Sequence, residues 1–137
     1  MIDFKEHLNL IFKRVFGFEP GESYRVRSEN AIKYICQGRY KMEDVIFIKD
    51  TSIFKNAKSG LVLTYDAICV KDIASYDSKF NAKYEDIDNV YLQNKEKLEP
   101  AGLVVKMKQG TKYLISMDEI DKNKVMEFVD SAVKLYR

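Results

Sequence analysis

The chain has no tryptophan, one histidine, two cysteines and two prolines among its 137 residues. Each scarcity removes a class of function. His7 sits beside Lys5 and Glu6 with no second imidazole to form a metal set or an acid–base dyad, and reads as a solvated helix residue. Cys36 and Cys69 each stand among apolar neighbours. Neither has a base or an oxyanion loop nearby in sequence, so buried free thiols are expected rather than a nucleophile or a disulfide. No apolar run approaches the roughly 20 residues that a membrane-spanning helix needs. An excess of one charge is missing too. The 23 basic and 21 acidic residues give a formal net charge of +2 and are mixed along the chain, which supplies no long-range field toward nucleic acid or an anionic membrane. Lys58-Ser59-Gly60 reverses the order that a phosphate loop requires. Asp86, Asp88, Glu96 and Glu99 read as solvated surface, so no metal and no cofactor is expected.

What is present suits one folded unit. Hydrophobic residues make up 46% and aromatic residues 12%, enough to build one core and too little chain for two. A single domain over residues 1–137 is expected, with residues 1–38 as a helical extension. The opening Met1-Ile2-Asp3-Phe4-Lys5-Glu6 carries charges where a signal peptide needs an apolar centre. The expected location is the cytoplasm.

Hydrophobic periodicity divides the chain. Phe4, Leu8, Ile11, Phe12 and Val15 recur at helical spacing after Asp3, a capping residue, and Gly17 ends the run. A shorter helix starts at Ser28, carries Ala31, Ile32, Ile35 and Cys36 on one side, and stops at Gly38. From Asp44 the period changes to two. Strands are predicted at 45–48, 60–64, 68–71, 79–84, 90–93, 102–108 and 112–116, with tight turns near Tyr65-Asp66 and Gln109-Gly110. Lys79, Asn81 and Lys83 share one face of the fourth strand and suggest a protected sheet edge. A last helix, capped by Asp118 or Asp121, presents Val125, Phe128, Val129, Ala132, Val133 and Tyr136 to a core.

Seven short antiparallel strands and a closing helix form the element order of a pleckstrin-homology-like (PH-like) domain, an α+β barrel or sandwich of two bent sheets. The run Asp50-Thr51, Phe54, Gly60-Leu61-Val62-Leu63-Thr64, Ile68-Cys69-Val70-Lys71 and the later Asp86-Ile87 resembles a pattern of bacterial PH-like proteins. Ala67 and Cys69 depart from it, where that pattern carries glycine and an aromatic. The resemblance spans about Asp44 to Tyr136. It implies the fold and a bacterial origin, not an activity.

In lipid-binding members of that superfamily, the loop after the first strand and the strand following it supply bases to an inositol phosphate. Lys55 and Lys58 occupy that loop here, but Leu61-Val62-Leu63 follows and no further base appears until Lys71. A membrane lipid is therefore not the expected partner. Arg25, Arg27, Lys33, Arg39, Tyr40 and Lys41 form a sparse basic and aromatic group around the second helix. It reads as scattered surface charge rather than a nucleic-acid interface. The expectation is a non-catalytic module that binds a protein, with Arg25, Arg27, Lys55 and Lys58 as candidate contact residues. The alternative is an antitoxin-like immunity protein that covers a toxin; a lipid-binding module or a small enzyme stands behind both.

Overall fold

The structure, a computed structural model, describes residues 3–21, 28–72, 78–96 and 101–137. Helix α1 (Phe4–Phe16) begins where the Asp3 carboxylate accepts the Glu6 amide at 2.8 Å. It ends at Gly17, whose left-handed φ of 83° lets its N–H return to the Lys13 carbonyl. Helix α2 (Ser28–Asn30) continues into a π-helical turn, Ala31–Ile35. The Cys36 N–H reaches back to the Ala31 carbonyl, and Gln37 and Gly38 at positive φ stop the turn.

Strands β1 (Val45–Asp50), β2 (Gly60–Thr64), β3 (Ala67–Asp72) and β4 (Ser78–Lys83) form an antiparallel sheet in that order. Strands β5 (Ile87–Gln93), β6 (Gly102–Met107) and β7 (Lys112–Ile115) form a second one. The chain closes with α3 (Lys122–Leu135), capped by Asp121 through the Lys124 amide. The seven strands and the closing helix lie where the periodicity puts them, but the sheets do not join into a closed barrel. A 3₁₀ turn, Tyr84–Asp86, carries the chain from one sheet to the next. Between β4 and β7, the stacked rings of Phe80 and Tyr113 at 4.3 Å bridge the corner. Between β1 and β5, helices intervene: Phe12 of α1 packs against Phe47 of β1 and Phe128 of α3, and α3 lies along β5. Helix α1 is thus part of the packed body, with Leu8 and Phe12 fully buried in the main core.

Both faces of the four-stranded sheet are covered. Inward side chains include Leu61, Leu63, Ile68, Val70 and Phe80; outward ones include Val62, Ala67 and Cys69, which pack under Ala31, Ile35 and Cys36 of the π turn. A β-bulge between Val45 and Phe47 breaks the alternation of β1. Neighbours Ile46 and Phe47 therefore both enter the inner core, while Val45 and Ile48 join the outer cluster.

The β2–β3 turn is held by one residue. The Thr64 hydroxyl accepts the amides of Asp66 and Ala67, and its carbonyl accepts the Tyr84 hydroxyl at 2.7 Å. Two expectations need correction. Asn81 does not guard the edge of β4; its Nδ2 donates to the Cys36 carbonyl at 3.0 Å and fastens the π turn to the sheet. Tyr136 lies beyond the buried stripe of α3 at 38% exposure, with Phe4 edge-on to its ring. Among the described residues no helix is long and apolar enough to cross a membrane.

Candidate binding surface

The segment between β1 and β2, residues 51–59, folds around Asp50, the last residue of β1. Its carboxylate accepts the Ser52 amide at 2.9 Å, the Ser52 hydroxyl at 2.5 Å and the Ala57 amide at 3.1 Å. A carboxylate with several local donors is the means by which aspartate folds a loop on itself. The Ser52 hydroxyl oxygen accepts the Asn56 amide, and the Asn56 side-chain oxygen accepts the Lys58 amide. Asn30 of α2 donates to the Asn56 carbonyl at 2.8 Å, tying the loop to the helical cover. Ala57 is buried in the outer cluster.

Two positions show how tight the loop is. Ala57 holds φ at 57°, a left-handed conformation seldom adopted by a residue with a Cβ. Gly60, at φ 144°, closes the loop where an added Cβ would lie 2.1 Å from the Lys49 carbonyl oxygen. No other residue fits there.

This frame holds two large apolar side chains in solvent. Ile53 is 89% exposed and Phe54 84%. Adjacent apolar side chains this open are costly in water, which makes this tip the candidate contact surface. Lys55 follows them, exposed at φ 54°.

Beside the loop, the ring of Tyr34 on the π turn gathers three lysines. The ammonium groups of Lys33, Lys58 and Lys71 lie 5.4, 5.0 and 5.3 Å from its centroid. They arrive from three elements. Lys33 is on the turn itself, Lys58 is in the loop, and Lys71 is on β3, opposite Gly60 in the sheet register. Chain order separates Lys71 from the loop, but strand pairing returns it there. Among the described residues none of the three pairs with a carboxylate. Each cation–π contact is worth about 0.5–1 kcal/mol in the open. The three charges repel one another, and the described part of this spot is positive.

Of the sequence-expected contact residues, Lys58 joins this cluster and Lys55 stands at the loop tip, whereas Arg25 and Arg27 lie outside the described residues. Sequence reasoning missed Ile53, Phe54, Tyr34 and Lys71. The apolar pair was visible as two large side chains inside an otherwise polar loop. Near α2, the Tyr40 hydroxyl is taken up by Asp66, to which it donates at 2.8 Å, and the Lys41 backbone amide donates to Asp44. Burial, with the Asp66 hydrogen bond second, raises the Tyr40 phenol far above its ordinary range.

The cysteines are free and buried. A hydrogen bond with Cys36, then burial, holds the Cys69 thiol well above the ordinary range. Among the described residues no three His, Cys, Asp or Glu side chains gather into a metal-sized group. A shallow recess of about 460 Å³ between β5 and α3 is lined by Val90, Asn123, Met126, Glu127 and Asp130, a mix of apolar stems and carboxylates with no cation. No family model, curated protein or solved structure matches this chain.

Proposed function

We propose that this chain is a non-catalytic binding module of PH-like architecture, acting in the cytoplasm through a protein partner that docks on the loop between β1 and β2. One observation carries the reading: Ile53 and Phe54 are held in solvent by a hydrogen-bonded frame anchored at Asp50. A floppy loop would fold such side chains onto the nearest apolar surface. A fixed one keeps them available, and less conformational entropy is then lost when a partner closes over them. Aromatic side chains presented in this way supply a disproportionate share of interface energy. The four-plus-three arrangement of antiparallel strands with a closing helix supports the PH-like assignment. Neutralising a toxin is one use to which such a contact could be put.

A photo-crosslinking phenylalanine analogue placed at position 54, and separately at the exposed Leu10 on α1, tests the site. The reading expects a discrete adduct from position 54 in native-host extract, absent from position 10 and diminished by Lys58→Glu. Equal labelling from both positions would remove the loop from consideration.

A further inference from the structure

We infer that the partner presents an apolar pocket rimmed by carboxylates, with Phe54 and Ile53 entering the pocket while Lys33, Lys58 and Lys71 face the rim. The inference rests on reading the loop as a contact surface, and it adds the chemistry of what is contacted.

The argument begins from charge. The chain as a whole is nearly balanced, at +2, yet beside the loop three ammonium groups lie 5.0–5.4 Å from one ring centroid. Among the described residues they have no carboxylate partner. Gathering like charges without a counter-charge is unfavourable in the free protein. It becomes favourable when carboxylates are brought to it, so the partner's rim is acidic. The apolar requirement comes from the adjoining loop, where two consecutive large side chains stand open. An interface whose buried centre is aromatic and whose rim is charged has this composition.

Geometry favours a protein over a bilayer. An anionic leaflet offers charge spread over its whole surface and rewards lysines distributed around an inserting tip. Here the lysines converge on a single tyrosine ring, a target matching a few discrete carboxylates. Rigidity points the same way. Fluid acyl chains do not need a fixed shape, whereas a protein pocket does.

The test uses the whole isotope-labelled chain and three probes: a glutamate-rich copolymer containing tyrosine, polyglutamate, and phosphatidylserine vesicles. The copolymer is expected to shift the amide signals of Tyr34, Phe54, Lys58 and Lys71, and to bind roughly tenfold more tightly than polyglutamate. Phe54→Ser should abolish that tenfold preference. Lys58→Glu should weaken both polymers, and added salt should do the same. Equal affinity for the two polymers, shifts confined to another face, or vesicle uptake without copolymer binding would each overturn the inference. If the copolymer fails while position 54 still crosslinks a partner, the surface stands and only its assigned chemistry falls. Loss of the crosslink as well would remove both.

Discussion

The inner and outer faces of the four-stranded sheet are both buried, but by different materials. Inside, Phe12, Phe47, Phe80 and Phe128 meet a row of leucines and isoleucines around Tyr84, whose side-chain hydroxyl is satisfied by the Thr64 carbonyl. Outside, the layer is thin: Ala31, Cys36, Ala57, Ala67 and Cys69 are small, and the cover is one π turn and a loop. Small side chains let backbone come close to backbone, and the outer face is accordingly fastened by hydrogen bonds such as Asn81 to Cys36 and Asn30 to Asn56. Large side chains buried together make the inner face the main source of stability. The outer face does something else: it carries the loop that exposes Ile53 and Phe54 and the Tyr34 ring that gathers Lys33, Lys58 and Lys71. Opposite faces of one sheet thus carry the large-side-chain core and the proposed contact surface.

The comparison can be attacked first from the inside. Phe128→Ala removes a fully buried ring that touches α1 and Tyr84. It is expected to cost about 3–5 kcal/mol in denaturant unfolding; an unchanged midpoint would mean that α3 is not part of the core. Alkaline pH reaches the same face. Burial raises the Tyr84 phenol well above its usual value of 10.0. Below that pH the folded and unfolded chains both keep the proton, and stability is unaffected. Above it the unfolded chain ionises first, so stability should fall with pH past about 10. Tyr84→Phe should flatten that fall in thermal unfolding measured across pH.

The outer face should respond more mildly. Asp50→Ala removes the acceptor for three loop donors and is expected to cost about 1–3 kcal/mol in urea unfolding. Phe54→Ser, in solvent, should change stability by no more than about 0.5 kcal/mol. A large loss there would mean that the ring is packed, and the division between the faces would collapse.

Much of the fold was legible in the sequence because it is written in alternation. β2 was located to the residue, and the apolar stripe of α3 was read correctly up to Val133. That α1 shares the corner between the sheets with α3 was not legible, because an apolar stripe shows that a helix face is buried and not against what. The role of Asn81 was hidden for a related reason: its partner is a backbone carbonyl 45 positions away. The candidate surface was half visible. Lys55 and Lys58 stood in the loop, whereas Lys71 reaches it only through strand pairing and Tyr34 only through the π turn.

The account turns on the loop being fixed while its tip is exposed, and backbone nitrogen relaxation of residues 51–59 measures that directly. Order parameters of about 0.85, as in the flanking strands, are the expected result, falling in the Asp50→Ala variant. Values below about 0.6 across Ser52 to Lys58 in the parent protein would contradict it, because Ile53 and Phe54 would then be exposed by motion and not by construction.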